Sequence, residues 1–352
     1  MDVLGVVIIF APLILILWVA NLALRSQSRG DVQNGSLLAL LAYLGVALLY
    51  GALMLSGALL GLIGLLMGSS GAQAPLDALR AAGLEPASIA NIGLGLALPS
   101  LLGMLLLLPP VRRICARILP IDAHSPVDAV ALSFTALVLL NLLLTLGIGL
   151  GNLQRLMEAG TATAGYNPIP GLWVQDILMF FMALVGVGWL SRANLGAALK
   201  RLALVLPTLR QASAGVGLGL LLVGLALVLE YGFKIAGIAP GDDVEKLTEQ
   251  MLGPLFKSIV GILTLGLAAA LGEESIFRGA LLPKFGLIFT SLLFALLHSN
   301  YGVSTATLAV FLVGLVLGLV RLRANTTTAM IVHAVYNMTL GMITYLGLMQ
   351  NF

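Results

Sequence analysis

Long apolar runs dominate the chain, and shorter polar stretches separate them. An apolar run of about 20 residues is long enough to cross a bilayer as a helix. Helices are expected because a lipid-exposed backbone must satisfy its own hydrogen bonds. The pattern therefore predicts an all-α, polytopic helical membrane protein with about ten transmembrane helices. The ten predicted spans are Val3–Leu24, Leu37–Met67, Ile92–Leu108, Val127–Gly151, Gly171–Leu190, Ser213–Ala236, Leu255–Pro283, Gly286–Asn300, Ser304–Val320 and Thr326–Leu348.

The distribution of basic residues between the predicted loops orients these spans. If the N-terminus lies outside, 13 of the 18 Lys and Arg residues fall in cytoplasmic loops, as the positive-inside rule requires. The second span is unusually long, and Leu37–Met67 could also be read as two short helices. Splitting it would move Arg25 and Arg29 to the other face and weaken the bias, so one long, tilted or overhanging helix is favoured.

The composition excludes several classes of protein. The chain is 60% hydrophobic and only 9% charged, with a mean hydropathy of +1.08, which is typical of a protein embedded in a lipid bilayer. Its single cysteine, Cys115, excludes an intrachain disulfide and a cysteine-based zinc site. The basic residues form no nucleic-acid-binding face. The Ala-, Leu- and Gly-rich composition favours a bacterial cytoplasmic membrane as the location.

Two connecting segments and two polar side chains within the spans also lead to predictions. Ser69–Asn91 contains an amphipathic piece, Leu76–Ala82, and Pro240–Gln250 is the most acidic segment and is interpreted as a solvated loop. Asn141 and Asp176, each inside a predicted span, are expected to form hydrogen bonds between helices.

Two adjacent glutamates, Glu273 and Glu274, lie inside a predicted span. An ionised carboxylate near the centre of a membrane helix costs on the order of 3 kcal/mol even on a lenient scale. The next apolar segments each carry a histidine, His298 in one and His333 in another, and Asn337 follows one turn after His333. Ionisable residues inside a membrane are functional by default, so these groups are candidates for catalysis.

Helical spacing separates the roles of the two glutamates. Glu274 and Arg278 are four residues apart with the acid first, so they face each other and can pair. Glu273 lies about 100° around the helix from Glu274. The arginine therefore neutralises Glu274, while Glu273 remains a candidate general base. A structural role for the Glu274–Arg278 pair, pinning the helix, is the more ordinary interpretation of that pair.

Counting along the first predicted hairpin places Glu273 and His298 at the same depth. If the turn falls at Lys284–Gly286, Glu273 lies 12 residues before Phe285 and His298 lies 13 residues after it. Equal counts on two antiparallel helices correspond to equal depth, because each residue rises about 1.5 Å.

The last hairpin brings two more polar groups toward that depth. It is predicted to turn near Ala324, with His333 nine residues and Asn337 thirteen residues further on. The two residues lie one turn apart on one face, roughly 14–20 Å from the side of the turn. We therefore expect all four side chains to converge on one polar cavity that opens to the cytoplasmic face.

The three motifs, in this order on successive membrane helices, resemble those of the CAAX-processing prenyl endopeptidase and bacteriocin-immunity (Abi, CPBP) family of intramembrane glutamic proteases. The resemblance covers roughly Leu255–Leu348, within a catalytic core assigned to 211–352, whereas 1–210 form N-terminal helices without a recognised motif. The motifs are Glu273-Glu274-x-x-x-Arg278, Phe294-x-x-x-His298 and His333-x-x-x-Asn337.

The resemblance implies roles for individual residues. Glu273 and His298 would activate a water molecule, His333 and Asn337 would hold the oxyanion, and Glu274 would support them together with Arg278. The implied activity is endopeptidase cleavage of a membrane-associated protein or peptide. The sequence offers no His-Glu-x-x-His pair, so no metal or other cofactor is predicted, and zinc is the alternative.

Two other functions fit the same residues. In a proton-coupled transporter, Glu273, His298 and His333 would relay protons. The lack of an internal repeat argues against this reading. In a non-catalytic immunity or scaffold protein, the motif would persist without turnover.

Overall fold

A computed structural model describes residues 3–70, 86–161 and 167–348, and these residues are mostly helical and contain no β-strand. The predicted amphipathic piece Leu76–Ala82 lies outside the described residues. The helices are α1 Val3–Ser28, α2 Val32–Ser70, α3 Pro86–Leu105, α4 Pro109–Cys115, α5 Pro126–Ile148, α6 Leu150–Thr161, α7 Ile169–Gly186, α8 Leu195–Arg201, α9 Leu209–Ile235, α10 Asp242–Phe256, α11 Ile259–Glu274, α12 Leu282–Phe285, α13 Leu287–Leu297, α14 Thr305–Arg323 and α15 Thr326–Tyr345.

Helices occur at all ten predicted spans, which confirms a polytopic helical membrane protein. Within the described residues, eight helices are long and apolar enough to cross a membrane. The other two predicted spans differ for physical reasons: α13 has only 11 residues, and α15 carries His333, Asn337 and several threonines. The second span is one unbroken helix of 39 residues, as the positive-inside rule favoured.

The acidic segment predicted as a loop is instead a helix, α10. Asp242, Asp243 and Glu245 occupy its first turn, where carboxylates interact favourably with the positive end of the helix dipole. Val244 and Leu247 are buried on its inner side. The error arose because the acidic residues concealed the apolar face of an amphipathic helix.

Small residues bring helices into close contact. A Cβ atom on Gly215 would lie 2.9 Å from the side chain of Ile331, and one on Gly219 would lie 2.8 Å from Val335. The absence of side chains at these two positions therefore lets α9 approach α15 closely, as small residues do between membrane helices.

The backbone departs from α-helical geometry next to the glutamates. Ser275–Leu281 forms a π-helix, a rare element that often marks functional sites. Gly286, with φ of +74° and ψ of 171°, then ends α12 and opens α13, a backbone conformation that favours glycine. This confirms the predicted turn at Lys284–Gly286. The last hairpin turns between Arg323 and Thr326, also as predicted.

Candidate active site

Glu274 is the fully buried anchor of the site. Its Oε1 accepts a hydrogen bond of 2.8 Å from Arg278 NH1 and one of 2.9 Å from His333 Nδ1. The same guanidinium donates to the carbonyl of Gly314 through NH2, at 3.2 Å. Glu274 and Arg278 thereby join α11 and its π-helical extension to α15 and α14. The pairing of Glu274 with Arg278 is the one that the spacing predicted.

Glu273 is held less tightly. Its side chain is 15% exposed, compared with 0% for Glu274. Its Oε2 lies 3.9 Å from His333 Nε2, which is beyond hydrogen-bond distance. In the described part of the chain this buried oxygen has no hydrogen-bond partner. Glu273 is thus the more accessible of the two carboxylates.

His333 lies between the two glutamates, and Glu274 determines how it is protonated. An ionised Glu274 can only accept a hydrogen bond, so Nδ1 of His333 must be the donor in that contact. Nε2, which faces Glu273, then carries a proton only when the ring is positively charged. The Arg278 guanidinium is a permanent positive charge beside Glu274.

His298 lies at the end of α13 rather than inside a helix. The helix stops at Leu297, and a short 3₁₀ turn, Ser299–Tyr301, follows. The His298 Nδ1 donates to the carbonyl of Phe294 at 2.9 Å, because a carbonyl can only accept. The predicted continuation of the span to Asn300 is therefore wrong: the helix breaks where polar side chains from α5 replace its backbone hydrogen bonds.

Two residues of α5 bind this helix end. Asn141 Nδ2 donates to the Leu297 carbonyl and to Ser299 Oγ, each at 3.0 Å. The hydroxyl of Thr145 lies 2.9 Å from Ser299 Oγ. Asn141 therefore forms the interhelical hydrogen bond expected for it, but its role beside His298 was missed. The four-residue spacing of Asn141 and Thr145 on an apolar helix was the available signal.

The ring of Phe294 contacts both histidines. Its centroid lies 5.0 Å from the His298 ring and 6.0 Å from the His333 ring, both in edge-on arrangements. The Arg278 guanidinium lies 4.1 Å from the same centroid, a cation–π distance. A parallel ring, Tyr301, stacks on His298 at 6.0 Å. We call Glu273, Glu274, Arg278, His298 and His333 the polar layer.

Asn337 is placed differently from the other predicted residues. Its Nδ2 donates to the carbonyl of Leu265 on α11, at 3.3 Å. The structure thus brings Glu273, Glu274, Arg278 and His333 into direct proximity and links His298 to them through Phe294. It engages Asn337 with backbone, and the convergence of all four predicted catalytic side chains on one cavity remains a prediction.

The described residues contain no group of three or more His, Cys, Asp and Glu side chains placed to hold a metal ion. The mechanism proposed for this site uses protein side chains and no metal ion.

The fold and the polar layer together define a multi-pass membrane protein with a buried carboxylate–histidine site. Comparison with known families identifies the segment that carries it: residues 255–339 match the model described as Type II CAAX prenyl endopeptidase Rce1-like. All six predicted site residues lie within this segment. The resemblance seen in the motifs is thus confirmed, and at family level the match supports a CAAX-type membrane protease.

The chain is 29% identical over 134 residues to a protein of Escherichia coli called "Uncharacterized 24.3 kDa protein". That alignment covers 35% of this chain and 62% of the relative. No solved structure matches the chain.

Proposed function

We propose that the protein is an intramembrane endopeptidase that hydrolyses a peptide bond of a membrane-associated protein or peptide with a water molecule activated by Glu273 and His298. The observation that supports this most is the contrast between the two glutamates. Glu274 is fully buried and its Oε1 is bound by Arg278 and His333, whereas Glu273 is 15% exposed and its Oε2 has no hydrogen-bond partner within the described residues. An unpartnered carboxylate oxygen in a buried site is a position for a water molecule or a substrate group.

In this mechanism Glu273 accepts a proton from the bound water as the water oxygen attacks the scissile carbonyl carbon. His298 assists through Nε2, which is free to accept because Nδ1 donates to the Phe294 carbonyl. The proton held by Glu273 then passes to the departing amine as the carbon–nitrogen bond breaks. One group thus serves as base and then as acid, as general acid–base catalysis requires.

The negative charge that develops on the carbonyl oxygen needs donors close by. A protonated His333 offers Nε2, which faces Glu273. Asn337 offers its amide once it exchanges the Leu265 carbonyl for the substrate. We propose these two as the oxyanion donors, with Glu274 and Arg278 holding His333 in place.

The test uses the purified chain in liposomes with a panel of membrane-bound peptides, one of them carrying a farnesylated CAAX tail. Cleavage products are identified by mass spectrometry for the wild type and for Glu273→Gln. We expect cleavage of at least one peptide by the wild type and loss of it in the variant. Equal cleavage by both proteins would refute the role of Glu273.

The two alternative functions predict different results. A proton-coupled transporter would acidify or alkalise the liposome lumen without producing peptide fragments. A scaffold or immunity protein would do neither. Proton flux that disappears in Glu273→Gln, with no cleavage by the wild type, would replace the proposed function with transport.

A further inference from the structure

A third carboxyl group lies against the glutamate helix and comes from outside the matched segment. Asp176 on α7 is only 3% exposed. Its Oδ1 is buried, and no residue in the described ranges binds it. The sequence predicted an interhelical hydrogen bond for Asp176, and this oxygen does not make one. A buried acceptor without a donor requires an explanation.

Asp176 reaches the backbone immediately before Glu273. A Cβ atom on Gly272 would lie 2.7 Å from the Cα and 2.8 Å from the Cβ of Asp176, and it would overlap Oδ1. Gly272 therefore creates the space that the aspartate occupies. Asp176 therefore lies against α11 at the residue before Glu273.

The surroundings favour a neutral Asp176. An ionised carboxylate is costly in a buried site unless a cation or several donors compensate it. The guanidinium of Arg278 is already bound to Glu274 and to the Gly314 carbonyl. A charged Asp176 would also repel Glu273, and two carboxyl groups in this situation keep one proton between them.

We propose that Asp176 is a positioning residue for Glu273, whose carboxyl group donates a proton in a hydrogen bond to the Glu273 carboxylate, directly or through one water molecule. This pairing would satisfy two oxygens that are otherwise unpartnered, Asp176 Oδ1 and Glu273 Oε2. The inference rests on the proposed function for its catalytic meaning. Asp176 would then be a residue from outside the matched segment 255–339 that contributes directly to the site.

The first test reads protonation without relying on catalysis. Infrared spectra of the wild type at neutral pH should contain the carbonyl stretch of a protonated carboxylic acid. That band should vanish in Asp176→Asn and shift in Glu273→Gln. Absence of a band that depends on Asp176 would overturn the proposal. If the band is present but the wild type cleaves no peptide, the pairing stands and the proposed function fails.

The second test compares two replacements of the same side chain. Asparagine keeps a donor in place, so Asp176→Asn should cleave the peptide panel within about tenfold of the wild type. Alanine leaves Glu273 unsupported, and a displaced catalytic group costs on the order of 10²-fold. Equal loss in both variants would show that the carboxylate itself is required and would contradict a donor role.

Trp173→Phe is the matched control, because Trp173 forms a polar contact between α7 and α11 that does not involve Asp176 or Glu273. Its Nε1 donates to Thr264 Oγ1 at 3.1 Å. The variant should lose this bond and keep both the infrared band and the cleavage rate. If Trp173→Phe lowers activity as much as Asp176→Ala, general packing of α7 explains the effect and the positioning role fails.

Discussion

The N-terminal bundle, formed by α1, α2, α3 and α5, and the polar layer both bury polar groups, but they satisfy them differently. In the bundle the Tyr50 hydroxyl donates to the Ser133 carbonyl at 2.7 Å, and Ser133 Oγ donates to the Gly103 carbonyl at 2.6 Å. These are neutral groups with backbone partners. In the polar layer, buried oxygens of Glu273 and Glu274 lack partners in the described part of the chain.

The difference separates a scaffold from a site. Neutral side chains bonded to backbone hold helices together and leave nothing for another molecule to bind. Unsatisfied carboxylates are costly, and a fold retains them where chemistry needs them.

Glu273→Gln should reduce peptide cleavage by about 10²–10⁴-fold, because the amide cannot accept the proton of the attacking water. The measurement is the initial rate on the peptide panel, at equal protein concentration in liposomes. Thermal unfolding of the variant in detergent should stay close to that of the wild type, since no residue in the described ranges is bonded to Glu273 Oε2 and the glutamine carbonyl can still accept the bond proposed from Asp176. A large drop in stability would instead assign Glu273 to the scaffold.

Arg278→Ala should destabilise the fold by about 3–5 kcal/mol, because it leaves Glu274 as an unpaired buried charge. Both partners are almost fully buried, at 1% and 0% exposure. Thermal unfolding measures the effect. The double variant Arg278→Met with Glu274→Gln should recover much of the stability without restoring full activity. An unchanged unfolding temperature for Arg278→Ala would show that the pair does not hold the layer together.

Asn141→Ala should cost about 1–3 kcal/mol, because the Leu297 carbonyl and Ser299 lose their donor. Activity should fall as well, since His298 directly follows the released helix end. The informative quantity is the rate per folded molecule. If the rate is unchanged, the position of His298 does not depend on α5.

Tyr50→Phe should cost only about 0.5–1.5 kcal/mol, the net value of one hydrogen bond. It removes the bond to the Ser133 carbonyl in the N-terminal bundle. Cleavage should remain at the wild-type rate. Together with Asn141→Ala, this variant distinguishes a bond that builds the scaffold from one that positions the site.

Chelation should have no effect on cleavage, because the proposed water activation uses Glu273 and His298 alone. Elemental analysis of active protein should find zinc well below one per chain. Stoichiometric zinc, with activity that chelators remove and zinc restores, would reverse this prediction and make glutamate and histidine side chains its ligands.

Most of the fold could be predicted from the sequence because helix length, turns and i,i+4 pairs depend on residues that are close together in the chain. Apolar length gives membrane helices, and the turns expected at Lys284–Gly286 and near Ala324 are present. The Glu274–Arg278 pair followed from helical spacing. These features depend on neighbours in sequence or on the bilayer.

The rest of the site depends on contacts between distant segments. The contact of Asp176 with Gly272 spans 96 positions of sequence, and Asn141 meets Ser299 across 158. A single sequence carries no record of such pairs. The helix break at His298 was missed because its cause is a side chain on α5, and the binding of His333 to Glu274 was missed because it depends on how α15 is rotated.

The central claim is that the polar layer hydrolyses peptide bonds with water held by Glu273. The most direct measurement is cleavage of a responsive peptide in water enriched in oxygen-18, followed by mass spectrometry of the new C-terminus. The account predicts one labelled oxygen in that carboxyl group for the wild type and almost no labelled product for Glu273→Gln. Labelled product formed at the same rate by both proteins would contradict it, because hydrolysis would then proceed without the proposed base.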